Sequence, residues 1–437
     1  MKKVKNHLAV LLVLALVLCL MPATAFALDE NETEIISVPC VTKVTPTTIS
    51  VKAMDNVQYR LGSTGTWTSE AVFSGLYPST TYAVYYRYGT GEAVSLGNYN
   101  TPASQSRANN TLIDSDAPYT LPYTEYVASY SLNNDLTYNL YLNAGKYDGY
   151  TNLRLCIEHN CYANNSNTAT LVKHIVPAAA NTVQVSGKTR FAFALKGLSA
   201  KQLGDELFIT LYADKVSDGK TYITPLYATN LSQVAYNILA SGDSDAKKRV
   251  AANLINYCGC AQTYFGYNTN HNVKDGLSAY SQYYSAGAPD PAMASLHVVV
   301  DDYPNAPVEI SKYELSLDSK ISWRIRFTVG SGITASNLRL KLTYTSVLGN
   351  TVNLTVSPVV TDDGVYFPVN EIGACDFQTA VDFTVYNGTD AVSPTYRSSI
   401  EHRCRHYANL GDANLTNLVY AMVNYSRAAK TLFAVTQ

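Results

Sequence analysis

The chain has 437 residues, with 32 Lys and Arg against 34 Asp and Glu, a formal net charge of −2. No run of basic residues accompanies that balance, which argues against nucleic acid or an anionic membrane surface as a partner. Tyr dominates the aromatics, 35 against 11 Phe and 2 Trp, and Thr, Ser, Asn and Val fill the gaps between apolar residues. That is the composition of half-buried strands and wet loops, so a mainly β protein of about three domains is expected.

Lys2, Lys3 and Lys5 precede an apolar run over residues 8–20, and Ala25-Phe26-Ala27 supplies a small-residue cleavage pattern. Residues 1–27 therefore read as a secretory signal peptide. The run is too short to span a bilayer, and no later stretch is long and apolar enough to do so. Cleavage after Ala27 leaves 29 Lys and Arg against 34 Asp and Glu, a formal charge of −5. A secreted, extracellular protein is expected, with cell-wall association left open. Residues 28–36 are acidic and patternless and read as a disordered leader.

The first domain is expected over residues 37–101. Ile49, Val51 and Ala53 alternate, as do Tyr82, Val84 and Tyr86, with turns such as Gly62-Ser63-Thr64-Gly65 between strands. The stretch Leu76-Tyr77-Pro78-Ser79-Thr80-Thr81-Tyr82 resembles the fibronectin type III domain, whose late strand is approached through a Leu-x-Pro-x-Thr-x-Tyr segment. The resemblance implies a β-sandwich with Tyr82 as its tyrosine corner. At this length the domain is short for that family and lacks room for one strand.

Residues 102–123, polar and proline-punctuated, read as a linker. A tandem repeat follows, with one copy over 124–268 and the other over 308–437. Leu136, Tyr138, Leu140 and Leu142 answer to Ile321, Trp323, Ile325 and Phe327, and Leu153, Leu155 and Ile157 to Leu338, Leu340 and Leu342, at an offset of 185. Leu207, Ile209 and Leu211 answer to Val381, Phe383 and Val385 at 174. Val250, Leu254, Tyr257, Ala261, Tyr264 and Phe265 lie on one helical face, and Leu418, Met422, Tyr425, Ala429, Leu432 and Phe433 repeat it at 168. The shrinking offset marks residues lost from connections. Each copy thus reads as an α+β module, a β-sandwich closed by a C-terminal helical hairpin. Residues 269–307 between the copies read as a linker, with residues 296–300 as a possible early strand of the second copy. On Asn256-Tyr257 and Ala261-Gln262-Thr263-Tyr264-Phe265, the module resembles one found in large secreted multidomain proteins of Gram-positive gut anaerobes. That resemblance carries no catalytic residues.

His402 and His406 stand four apart on a predicted helix and share a face, the spacing of a metal-binding pair. In the first copy they become Gln233 and Asn237, so the fold does not need a metal there. Cys258 and Cys260 become Ser426 and Ala428, so that site wants small residues. Seven cysteines remain after signal cleavage, an odd number, and a hairpin at His159-Asn160 would pair Cys156 with Cys161 as a disulfide; free thiols are the alternative. Asp301-Asp302 and Asp362-Asp363 read as solvated turns rather than a catalytic carboxylate pair. No nucleophile, metalloprotease or phosphate-binding motif is present, and no cofactor is expected.

Exposed tyrosines stack on sugar rings or anchor protein contacts, and the candidates are Tyr85 and Tyr88, beside Tyr86, and Tyr280, Tyr283 and Tyr284. Trp323, on the inward series, is expected in the core. Arg154 and Arg339 occupy equivalent outward positions and are expected to bond the covering helices. The expected function is surface adhesion or extracellular binding of a glycan or a protein, without catalysis. The alternatives are a secreted hydrolase acting on polysaccharide or peptidoglycan, and a spacer with no ligand.

Overall fold

The computed structural model describes residues 39–44, 48–74, 81–101, 121, 126–132, 136–224, 227–317, 321–362 and 364–435. The signal peptide, the leader, almost all of the segment 102–123 and residues 75–80 of the fibronectin-like motif lie outside them. Strand outweighs helix, 44% to 24%, so the fold is mainly β. Among the described residues no helix is long and apolar enough to cross a membrane.

The first unit has strands β1 (Val41–Val44), β2 (Thr48–Val51), β3 (Val57–Leu61), β4 (Val72–Ser74), β5 (Thr81–Tyr88) and β6 (Val94–Asn100). They form two antiparallel sheets, β1–β2–β4 and β3–β5–β6. Val41, Ile49, Val51, Tyr59, Val84, Tyr86 and Tyr99 make its core. On β5, Val84 and Tyr86 are buried while Tyr85 and Arg87 lie on the other face, as the two-residue period of a strand requires. Tyr82 is half-buried against this core.

The first copy runs through β7 (Val127–Leu132), β8 (Leu136–Asn143), β9 (Tyr150–Tyr162), β10 (Ala169–Pro177), β11 (Val183–Val185), β12 (Lys188–Leu198), β13 (Glu206–Lys215), β14 (Thr221–Ile223) and β15 (Tyr227–Asn230). Its sheets are β10–β9–β13–β14, with β15 also on β13, and β11–β12–β8–β7. Helices α1 (Gln233–Ala240) and α2 (Asp245–Phe265) follow. A connecting strand, β16 (His297–Asp301), precedes the second copy, which has β17 (Val308–Ser316), β18 (Ser322–Val329), β19 (Leu338–Thr345), β20 (Thr351–Val356), β21 (Val359–Thr361), β22 (Gly364–Val369), β23 (Val381–Asn387), β24 (Asp390–Ala391) and β25 (Thr395–Ser398). Helices α3 (Ile400–Ala408) and α4 (Ala413–Val435) end it. Its sheets, β20–β19–β23 with β24 and β25 on β23, and β21–β22–β18–β17, reproduce the first copy strand for strand, and β16 adds an edge to β25. Trp323, Ile325 and Phe327 alternate inward on β18 as Tyr138, Leu140 and Leu142 do on β8.

The two copies are fused rather than strung. A single apolar core runs through both, and the equivalent residues Tyr257 on α2 and Tyr425 on α4 stack on each other, with ring centroids 6.0 Å apart and planes 9° from parallel. Residues 269–307, read from composition as a linker, are held along these helices. Val273 N donates to Gln262 Oε1 at 2.7 Å, Asn253 Nδ2 to the Tyr283 carbonyl at 3.1 Å, and Asn424 Nδ2 to the carbonyls of Ser285 and Gly287 at 3.2 and 3.0 Å. Asn256, the counterpart of Asn424, also donates to the Ser285 carbonyl, at 3.4 Å. Backbone that a free linker would leave to water is satisfied by helix amides.

The first unit docks on the first copy. Phe208, on the outward face of β13, is buried in the first unit's core, and Asn230 Nδ2 donates to the Leu96 carbonyl at 3.3 Å. Glu206, on the same outward face, is buried and accepts from Asn160 Nδ2 at 2.7 Å. The equivalent outer row of β23 is polar and paired within its own sheet: Asp382 accepts from Arg397 Nε and Nη2 at 2.6 and 2.7 Å, and Thr384 Oγ1 is hydrogen-bonded to Thr395 Oγ1 at 2.8 Å.

Gly97 makes the approach possible: its φ is +113° and a Cβ there would lie 1.5 Å from Asn230 Nδ2. Gly97→Ala is expected to destabilise by about 1–3 kcal/mol and to raise hydrogen exchange in β6 and around Asn230. Gly62→Ala is the control, because Gly62 shares a positive φ of +69° but has nothing within 4 Å. Equal effects of the two substitutions would show that close packing at Gly97 contributes nothing.

Candidate functional site

Among the described residues, two places bring chemistry-bearing side chains together in the arrangements a ligand or an ion would use. The first is the outward face of β3 and β5. Cross-strand register sets Gln58 opposite Arg87 and Arg60 opposite Tyr85. After β3 the chain turns back, with Tyr59 N donating to the Thr68 carbonyl at 2.7 Å and Thr68 N to the Tyr59 carbonyl at 2.9 Å, and this return lays Trp67 over the sheet. Its indole stacks against two guanidinium groups, Arg60 at 4.4 Å and Arg87 at 4.5 Å from the ring centroid. Arg60 also lies 5.3 Å from the Tyr85 ring, and Gln58 Oε1 accepts from Arg87 Nε and Nη2 at 2.9 and 2.7 Å. All five side chains are half-buried, so the stack is held in place yet open on one side. It offers an aromatic face for a sugar ring or side chain and two fixed cations for a carboxylate or sulfate.

Of the tyrosines singled out from sequence, Tyr85 belongs to this surface. Tyr88 does not share it. It is three residues on, on the core-side row, 47% exposed at the strand end with its ring edge-on to Tyr86. Tyr280, Tyr283 and Tyr284 form no free strip: all three are half-buried against the core of the copies, and the Lys248 ammonium lies 5.7 Å from the Tyr283 ring. Part of each ring packs the connector against the core of the copies. Composition marked the segment as solvated, whereas it folds back on the helix that precedes it.

Among the described residues, His402 and His406 belong to no cluster of three or more possible metal ligands. His402 stacks on His297, with centroids 5.8 Å apart, and the His297 Nδ1 is hydrogen-bonded to the Tyr313 hydroxyl at 3.0 Å. His406 is exposed beside Tyr407. Burial first, then His297 and the neighbouring cations, hold the His402 imidazole below its ordinary range. The one group of His, Cys, Asp or Glu among the described residues with the proximity a metal needs lies elsewhere. Arg154 bonds the Asn152 carbonyl and Asp214, and Arg339 the carbonyls of Ser336 and Leu338. Both pin their own strand entries and not the covering helices.

The Cys156–Cys161 disulfide is also corrected. The residues His159 and Asn160 are not a turn; β9 continues through them, paired with β10 on one side and β13 on the other. Five residues along a strand separate the two Cα atoms by about 16 Å, far beyond disulfide reach, and odd spacing puts the thiols on opposite faces. Cys156 and Cys161 are free thiols, as are Cys258, Cys260, Cys375 and Cys404.

That continuous strand creates the second place. The core-facing row Leu153, Leu155, Ile157 turns polar at its end with His159 and Cys161. The 3-10 turn Ala200–Gly204, closed by a reciprocal Ser199–Gln202 capping box, delivers Asp205 to the same point. Ligand atoms of His159, Cys161 and Asp205 all lie within 4.8 Å of one another. His159 Nε2 and Asp205 Oδ2 share a hydrogen bond of 2.8 Å, the Tyr267 hydroxyl donates to Asp205 Oδ2 at 2.6 Å, and Gln202 Nε2 points at Cys161 Sγ from 3.7 Å. Burial lifts the Asp205 carboxyl to about 6 against the opposing hydrogen bonds of His159 and Tyr267. Burial, and then the charge of Asp205, push the Cys161 thiol up to about 12.

Sequence reasoning had both His159 and Cys161 in view but read a turn between them. The usable signal was the two-residue period carried past Ile157; Asp205 was out of reach, because only the β9–β13 pairing brings it near. Compared with protein-family models and with curated protein sequences, the chain matches none.

Proposed function

We propose that the chain is a secreted, non-catalytic binding protein, acting in surface adhesion or capture of an extracellular glycan or protein, and that the Arg60–Trp67–Arg87 stack with Tyr85 makes the contact. The observation that carries this reading is the stack itself. An indole held between two guanidinium groups on a sheet face is preorganised, so little side-chain entropy is lost when a ligand settles on it. The local charge is positive in an otherwise acidic chain, which favours ligands bearing a carboxylate or sulfate beside a ring or aliphatic face. The rival hydrolase would draw on Cys161, His159 and Asp205. Against it stands the thiol, held neutral where a nucleophile needs to be a thiolate.

The test is retention of the full chain on arrays of bacterial and host glycans and mucins, with product release assayed on the same samples. Retention without release is expected, reduced roughly tenfold or more in Trp67→Ala, on the scale of an interface hot spot. Arg87→Gln, which leaves the indole in place, is expected to weaken acidic ligands selectively. Product release would overturn the non-catalytic reading. Silence throughout would favour the spacer, and retention indifferent to both substitutions would move the contact off this face.

A further inference from the structure

We propose that His159, Cys161 and Asp205 form a binding site for a single zinc-like divalent ion in the first copy. One nitrogen, one sulfur and one oxygen donor converge within 4.8 Å, the mixed donor set that tetrahedral zinc accepts and that magnesium or calcium does not. Two of the donors are withdrawn from water, His159 at 1% and Asp205 at 0% exposure. Their hydrogen-bonding capacity is not exhausted. Asp205 Oδ1 and the Nε2 of His174 are buried without a partner among the described residues, and the His174 ring stands 5.7 Å from that of His159. Unsatisfied polar atoms buried at one spot are costly and ask for a missing partner.

The second copy is the internal control. At the offsets that align the strands, His159 answers to Tyr344, Cys161 to Ser346 and Asp205 to Thr379, and His174, paired with Ile157, answers to Leu354, paired with Leu342. The fold is therefore built twice, once without this His–Cys–Asp set: beside Tyr344 the second copy has Asp376, whose Oδ1 accepts from the backbone N of Val347 at 2.7 Å. Charge also balances. A thiolate and a carboxylate cancel a dication, leaving a buried site neutral, whereas the ion's absence leaves a carboxyl facing an imidazole in a dry interior. On binding, the thiol proton leaves to solvent, the proton between His159 Nε2 and Asp205 Oδ2 shifts to His159 Nδ1, a sulfur–metal bond forms, and no electron is transferred. Tetrahedral donors lie about 3.4 Å apart, so His159 and Asp205, now in hydrogen-bond contact, part by roughly half an ångström to admit the ion. Tyr267 or a water fills the fourth position.

The experiment strips the full chain with a chelator and titrates Zn2+ against a competing indicator dye, with Co2+ as the spectroscopic probe. One equivalent is expected to bind, and the Co2+ form is expected to show tetrahedral ligand-field bands with a thiolate-to-cobalt charge-transfer band. Cys161→Ser is expected to abolish the charge-transfer band, and Asp205→Asn to lower affinity by about tenfold or more. Cys161→Ser installs the residue the fold already carries at Ser346, so circular dichroism and the thermal midpoint of its metal-free form should match the parent. Failure of the parent to take up stoichiometric Zn2+, or a charge-transfer band that survives Cys161→Ser, overturns the site.

Discussion

Tyr257→Ala in the first copy is expected to lower the stability of the second copy as well as its own. The reason is that Tyr257 and Tyr425, both nearly fully buried, pack face to face where α2 meets α4. Truncating a buried aromatic costs about 3–5 kcal/mol, and here the loss falls on a shared core. The chain has 2 Trp, of which Trp67 lies in the first unit and Trp323 in the second copy. With Trp67→Phe as background, Trp323 fluorescence reports the second copy alone. Its urea midpoint is expected to fall in Tyr257→Ala as it does in Tyr425→Ala. The double substitution should cost less than the sum by roughly 1 kcal/mol, because each ring's partner has gone. Tyr257→Phe keeps the ring and should stay near the parent. A Trp323 transition unmoved by Tyr257→Ala would mean that the copies unfold independently and that their contact is weak.

The residues of this interface were legible in the sequence, but the interface was not. The helical period placed Tyr257 and Tyr425 on equivalent apolar faces, and the constant offset named them as counterparts. Period and offset describe one chain segment at a time. They report that a stripe must be buried and say nothing of what covers it, so the sheet was the natural partner to assign. The same limit hid the docking of the first unit: Phe208 reads as one more strand residue, and its cover lies over a hundred residues earlier. Local rules failed once outright, at His159-Asn160. Hydrogen bonding to strands on both sides holds these residues extended, and tertiary pairing outweighs a weak turn preference. From that single misreading came both the spurious disulfide and the overlooked cluster. The surface stack around Trp67 was missed for a different reason. Its parts are scattered between residues 58 and 87, and only the pairing of β3 with β5 and the return at Thr68 bring the indole between two arginines.

The second large effect is expected at Glu401. Its carboxylate is buried at the start of α3, where Oε1 accepts from Arg427 Nη2 at 2.6 Å and from the backbone N of Ala294 at 3.1 Å. Arg427 also donates to the Pro291 carbonyl, so the two side chains clamp the connector between α3 and α4. The first copy has Ser232 and Gly259 in these places, and there the connector itself fills the room: a Cβ on Gly259 would lie 2.5 Å from Asn272 Oδ1. The ion pair is therefore what the second copy uses where the first uses close packing. Breaking it from one side leaves a buried charge unpaired, and Arg427→Met is expected to cost about 3–5 kcal/mol. Glu401→Gln should cost less, since an amide oxygen still accepts from Ala294 and the remaining cation, partly exposed, is reached by water. In the double variant Glu401→Gln/Arg427→Met no buried charge remains, and stability is expected to recover relative to Arg427→Met alone. Hydrogen exchange at Ala294 locates the effect: it should rise in Arg427→Met and fall back in the double variant. Additive losses, with Ala294 equally protected throughout, would show that the clamp does not hold the connector.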